Sequence, residues 1–374
     1  MATTRILTTA IAAGMLLAAA GLPAHAADDT AAGGTIAFVS DRTGNDELYI
    51  MNSTGTEVRQ LTTSPGFDRA PGWSPDGDKL VFNSRREPHA DRPQIYTLDV
   101  ATGEQVRVTE SPLEEQRATW SGDGRSVFFH RGAFLSQPYN LIEHNLTTGD
   151  ERQLTDSTDP AIWNAAPAPH PDGGALLFQS NRDAPAAIFP QRLQLLDLDT
   201  LSVTPIDLPS SLPATTSVDG PRWNADGSAF TFAADGRLFV ADASGALPTW
   251  TATAVTDGSR DDSAPAFSPD GTKLVFQTYI EGEDPDGEDD RVVISTIDLS
   301  SGEITEIGEG RTPVWTAIEW FPSAEPSSPQ PPAALAETGF DVPGLAVPLG
   351  LLLVGGIAVA LSALVGRRRS RSPR

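Results

Sequence analysis

From Thr35 to Trp320 apolar and polar residues alternate in short bursts, as in Thr35-Ile-Ala-Phe-Val-Ser-Asp-Arg42, Lys79-Leu-Val-Phe-Asn83 and Lys273-Leu-Val-Phe-Gln-Thr-Tyr-Ile280. A period of two held over so few residues predicts half-buried β-strands rather than helices. One unit shows the order: Ala70 to Trp73, a Ser-Pro-Asp-Gly turn, Lys79 to Asn83, Gln94 to Val100, an Ala-Thr-Gly-Glu turn, and Gln105 to Thr109. Four strands with Asp-Gly and Thr-Gly punctuation in about 47 residues predict one blade of a β-propeller.

The turn phrase recurs: Trp73-Ser-Pro-Asp-Gly77, Trp120-Ser-Gly-Asp-Gly124, His170-Pro-Asp-Gly173, Trp223-Asn-Ala-Asp-Gly227 and Phe267-Ser-Pro-Asp-Gly271, with a degraded copy at Trp320. Spacings of 47, 50, 53, 44 and 53 residues mark a toroidal repeat. The first unit has a second, third and fourth strand (Thr35 to Arg42, Glu47 to Asn52, Val58 to Thr62) but no first. Trp315-Thr-Ala-Ile-Glu-Trp320 is the expected missing strand, and pairing the two ends closes the ring without open edges. The expectation is an all-β, six-bladed, monomeric propeller over residues 35–322.

The phrases Phe38-Val-Ser-Asp-Arg-Thr-Gly44, Arg59-Gln-Leu-Thr62, Pro71-Gly-Trp-Ser-Pro-Asp-Gly77 and Ala266-Phe-Ser-Pro-Asp-Gly-Thr-Lys-Leu-Val-Phe276 resemble the propeller of TolB-type proteins. The resemblance covers about residues 35 to 322 and implies the repeat type rather than a ligand. Periplasmic TolB carries an amino-terminal domain that binds envelope partners. Here residues 27–34 alone separate the expected leader from the first strand, so a Tol-Pal role is not implied.

Both ends look like addresses. Arg5, the apolar run Ile6 to Ala20, and Ala24-His25-Ala26 just ahead of Ala27 form the pattern of a secretory signal peptide, residues 1–26. At the other end stand Leu335-Ala336-Glu337-Thr338-Gly339, an apolar segment over 342–365, and an arginine-rich tail over 367–374. The apolar segment is long enough to span a bilayer and the arginines favour a cytoplasmic tail. The triplet resembles the sorting signal of proteins joined to Gram-positive cell walls by sortases. That resemblance implies sortase as a processing partner, attack at Thr338, and release of the segment from Gly339. Ala336 stands where the commoner motif has Pro, as in a variant from high-GC Gram-positive bacteria. Residues 323–334, rich in Pro and Ser, read as a stiff spacer.

Charge narrows the partners. Asp and Glu number 50 against 26 Lys and Arg, and removing both processed ends leaves 49 against 20. Such a surface disfavours nucleic acid and anionic lipid, so the membrane is expected to matter only through the carboxy-terminal helix. There is no cysteine, which excludes disulfides, thiolate nucleophiles and Cys-ligated zinc.

Strand order places the loops between second and third strands on one face with the inter-blade loops, and these are the varied ones. The repeated Asp76, Asp123, Asp172, Asp226 and Asp270 lie on the opposite face as turn residues, and Trp73, Trp120 and Trp223 read as wedges between blades. On the loop face Arg42, Arg85, Arg131 and Arg182 recur after the second strand, and Asp68, Glu115 and Asp262 recur before the next inner strand. Their alternation suits an anionic or polar ligand; equally, each arginine can tie neighbouring blades through a carboxylate. Glu281 to Asp290 gathers Glu283, Asp284, Asp286, Glu288 and Asp290, oxygen donors of the kind calcium takes, although a solvated hairpin tip fits the same residues.

No cofactor is expected. The expected function is non-catalytic binding of an envelope or extracellular protein, or a glycan, at the cell surface. The alternative is a metal-dependent polysaccharide lyase or other hydrolytic enzyme at the channel mouth, with His89 and His130 as its histidines. Prolyl peptidases carry a related propeller, but their Gly-x-Ser-x-Gly elbow is not found here.

Overall fold

The computed structural model describes residues 33–321 except 87–90, 184–189, 214, 246–249 and 283–289. Ala24, Ala26, Ala27, the Leu335 to Gly339 motif, the 342–365 segment, His89, and Glu283, Asp284, Asp286 and Glu288 lie outside the described residues. Among the described residues no helix is long and apolar enough to cross a membrane.

Six four-stranded antiparallel sheets follow one another along the chain: blade 1 (35–60 with 311–316), blade 2 (68–107), blade 3 (114–153), blade 4 (164–205), blade 5 (218–254) and blade 6 (261–309). Blade 2 is typical, with its inner strand at Asp68–Trp73, then Lys79–Ser84, Gln94–Asp99 and a short outer strand at Gln105–Arg107. The turn phrase is fixed by its own side chains. Ser74, Ser121 and Ser268 donate their hydroxyls to Asp76, Asp123 and Asp270 at 2.6, 2.7 and 2.6 Å. The glycines that follow all have φ between +70° and +83°, a conformation that costs other residues energy. Five residues after each of these glycines comes a fully buried phenylalanine: Phe82, Phe129, Phe178, Phe232 or Phe276. Those rings sit in second strands and fill the core between neighbouring blades.

Two further repeated contacts set the blade interior. Thr62, Thr109, Thr155 and Thr256 each accept, on their hydroxyl, the backbone N–H of a third-strand residue at 2.9 to 3.0 Å. Trp73, Trp120 and Trp223 donate their indole N–H to Val314 O, Gly72 O and Ala168 O, in each case the inner strand of the preceding blade. The tryptophans are therefore wedges between blades.

Closure occurs through Arg311–Thr316, which pairs antiparallel with Thr35–Ser40. This corrects the expected strand at Trp315 to Trp320 and the expected sixth phrase at Trp320. Trp315 stands three residues after Thr312, as Trp73 stands three after Ala70, so the anchor of the sixth repeat is Trp315. Trp320 follows the strand, donates to Gly77 O at 3.2 Å and packs on the core between blades 1 and 2. Two tryptophans competed for one slot, and the strand register chose the one that places Val314 in the core.

Every inner strand carries a bulge at the same place. The register skips one residue between Arg69 and Gly72, Gln116 and Thr119, Ala165 and Ala168, Asp219 and Arg222, and Ser263 and Ala266, and likewise opposite Ala37 and Val39. The extra residue has positive φ in all six blades: Ala70, Arg117, Ala166, Gly220, Ala264 and Thr312. Five of the six precede proline, whose missing N–H is tolerated at a bulge.

Candidate functional site: the channel and its mouth on the loop face

The recurrent loop-face arginines are held by the scaffold. Arg42, Arg131 and Arg182 place their guanidinium groups over Phe38, Phe129 and Phe178 at 5.3 to 5.4 Å, each ring belonging to the same blade. Glu115 is fully buried and receives Arg131 at 2.6 Å, while Glu151 grips the outer side of the same guanidinium at 2.7 Å. Burial raises the Glu115 carboxyl above the usual carboxylate range, with the Thr109 hydroxyl and Arg131 pulling against it. Asp262, also buried, pairs with Arg260 and accepts the Thr278 hydroxyl.

In blade 2 the partner of fully buried Asp68 is Arg86, at 2.6 Å, and not Arg85. Arg86 covers Phe82, whereas Arg85 lies over Phe67 in the adjoining loop. Arg182 bonds Asn164 Oδ1 at 2.9 Å, because Asn164 occupies the place that Asp68 and Glu115 take in their blades. Arg42 has a glycine, Gly310, at that place. It bonds Ser40 and the Glu309 carbonyl and stays exposed beside a groove of about 750 Å³ between blades 1 and 6.

The centre of the disc holds charges that the repeat pattern did not reveal. The bulge residues of all six blades line a channel of about 80 Å³. Three of their N–H groups are anchored from the previous blade: Asn83, Gln179 and Gln277 accept from Arg117, Gly220 and Thr312 at 3.3, 3.3 and 2.7 Å. Arg117 thereby projects from blade 3 into the channel and meets Asp219 of blade 5 at 2.6 Å. Since 44% of each side chain remains accessible, the pair is wetted rather than dry. Burial alone would raise the Asp219 carboxyl, but Arg117 outweighs it and holds the group below its usual range. Arg222 shares the channel, and burial followed by repulsion from Arg117 lowers its pKa to about 10.

Arg117 and Asp219 also floor a wider pocket of about 390 Å³ that opens among the inter-blade loops, beside Trp163, Gln179, Asp235 and Asp261. At its rim the hairpin after the blade 3 second strand exposes Phe134 (53%) and Leu135 (65%). Phe134 meets the edge of Trp163 at 5.8 Å, and Trp163 meets Tyr139 at 4.8 Å. Leu135 holds φ +58°, an uncommon backbone state for an exposed leucine at a hairpin tip.

Other sequence candidates fall elsewhere. His130 is 5% exposed, its ring edge-on to Tyr139 at 5.3 Å and its Nδ1 without a hydrogen-bond partner among the described residues. Burial, aided by the Arg117 charge, pushes its pKa down to about 3. Asp290 accepts the Tyr279 hydroxyl and the Gly282 N–H, closing the base of its hairpin. Among the described residues no three His, Asp or Glu side chains are grouped to hold one metal ion. Sequence reasoning missed Arg117, Asp219 and Arg222. The available signal was the position three residues before an anchor, where Arg117 precedes Trp120; Asp219 and Arg222 flank the matching Gly220-Pro221 pair ahead of Trp223.

These features define a propeller with one face of uniform turns and one face of varied loops around a charged channel. The model of the TolB β-propeller domain family matches residues 18–206, half of the chain, and the chain belongs to that family. An uncharacterised protein of Agrobacterium fabrum is 28% identical over 207 residues, 53% of this chain and 66% of that protein. An uncharacterised peptidase of Bacillus subtilis is 31% identical over 161 residues, 40% of this chain and 20% of that protein. The chain thus spans less than two thirds of the length of these relatives. The crystal structure of TolB from Acinetobacter baumannii aligns with a TM-score of 0.59 at 23% identity, covering 75% of this chain and 66% of that one. That likeness concerns the fold alone.

Proposed function

We propose that the chain is a non-catalytic recognition module that holds an envelope or extracellular protein on its loop face, across the channel mouth. Membership of the TolB propeller family is consistent with a protein-binding role. The observation that carries the reading is the apolar rim: Phe134 stands exposed against Trp163, which lines the 390 Å³ pocket, and exposed Leu135 follows it at the hairpin tip. Exposed aromatic side chains beside a cavity are common anchors of a protein interface, and exposed apolar patches mark interaction sites. The leader at residues 1–26 and the motif ending at Thr338 and Gly339 support display at the cell surface, with sortase joining the chain to the wall. Arg42, exposed and without a carboxylate partner in its own blade, extends the same face toward blade 6.

Crosslinking on intact cells, followed by identification of captured proteins, tests the reading. A Phe134→Asp, Leu135→Asp double variant should lose the captured partner while melting within about 2 °C of the parent. Undiminished capture, or metal-dependent turnover of a polysaccharide by the purified chain, would overturn it.

A further inference from the structure

The channel carries more positive than negative charge inside a strongly acidic protein. Arg117 and Arg222 share it with one carboxylate, Asp219, whereas the whole chain sums to −24. Asp219 is already engaged, its Oδ1 taking Arg117 Nη1 at 2.6 Å. Arg222 donates one hydrogen bond, from Nη1 to the carbonyl of Pro221 at 3.2 Å, and meets no further acceptor among the described residues. Thr312 lines the same channel from blade 1, and its hydroxyl is buried without a hydrogen-bond partner among the described residues. Arg222 is half-buried, repelled by Arg117 and drawn to Asp219 without a hydrogen bond to it, so its planar fork keeps free donors that an oxyanion can take bidentately.

We propose that the channel is an oxyanion site in which Arg222, backed by Arg117 and the Thr312 hydroxyl, holds one small oxyanion group. The space of about 80 Å³ equals two or three waters at roughly 30 Å³ each, enough for a carboxylate or phosphate group and too small for a sugar ring. The group reaches the site from the mouth, since Arg117 and Asp219 belong to both cavities. It is either a free ion or the terminal carboxylate of a chain lying on the loop face. The site does not depend on the apolar rim, and the Phe134, Leu135 double variant leaves it intact.

The test is titration calorimetry and thermal melting of the whole propeller at constant ionic strength, with sodium chloride as the reference. The probes are inorganic phosphate, acetate, and a short neutral peptide with a free or an amidated carboxy terminus. A saturable rise in melting temperature with phosphate or acetate supports a free-ion site. A rise with the acid peptide alone supports a chain terminus. Arg222→Gln should weaken the responding probe at least tenfold, and Asp219→Asn, which removes the competing carboxylate, should tighten it several-fold. No saturable response to any probe overturns the proposal, as does an Arg222→Gln variant that binds like the parent. Should Arg222→Gln fail to fold, an Asp219→Asn affinity no higher than the parent's overturns it instead.

Discussion

Replacing His130 with Gln should remove a pH dependence of stability that the parent displays below neutrality. The folded ring, buried against Tyr139 and near Arg117, takes a proton only at about pH 3, whereas an unfolded histidine takes one near 6.5. Between those values the unfolded chain binds more protons than the folded one, so stability present above pH 6.5 is lost as pH falls. From pH 7.5 to 5.5 the linkage amounts to about 1.4 kcal/mol, approaching ~1.4 kcal/mol for each further pH unit until the folded ring titrates. Burial raises the carboxyls of Glu47 and Glu115, so those groups act with the opposite sign. They are common to both proteins and cancel when the parent is compared with His130→Gln. The assay is urea unfolding of parent and variant at pH 7.5, 6.5 and 5.5, taking the difference in free energy at each pH. The variant is expected to start less stable and to lose about 1.4 kcal/mol less over this range. Parallel curves would refute the buried, neutral state of His130 and revive it as a titrating group at the channel mouth.

Three other perturbations probe the scaffold. Glu115→Ala strips the buried carboxylate from Arg131, and because Glu151 still holds the guanidinium the loss should be about 3 kcal/mol, at the low end for a broken buried pair; a loss under 1 kcal/mol in urea unfolding would show the pair to be idle. Gly220→Ala places a side chain on a residue of φ +61° with ordinary contact distance, 3.6 Å, to the nearest atom, so calorimetry should find a conformational cost of about 1 kcal/mol and no larger steric one. Ending the chain at Gly310 removes the closing strand and bares the inner edge of Thr35–Ser40, which then pairs with Glu47–Asn52 alone, whereas ending it at Phe321 does not. Size-exclusion chromatography should show aggregation of the first and a monomer for the second.

The blade count, the strand order and the separation of turn face from loop face were all legible in the chain, because each depends on residues adjacent in sequence. An Asp that caps its own turn, a glycine at positive φ and a phenylalanine five residues later act within one hairpin, and five repetitions leave little ambiguity. Closure was legible in kind but not in register. Trp315 and Trp320 read alike, and only pairing with Thr35–Ser40, at the far end of the propeller sequence, placed Val314 in the core and Trp320 outside the strand. Arg85 and Arg86 posed the same difficulty, since direct neighbours differ by which one reaches Asp68 across the blade. The channel charges were beyond any local pattern: Arg117 and Asp219 are 102 residues apart and belong to blades that do not touch in sequence order. Sequence determined the repeating unit because short-range turn chemistry and period-two burial specify it. The ring alone decided which charges face one another, because it brings one residue from every blade to a common axis.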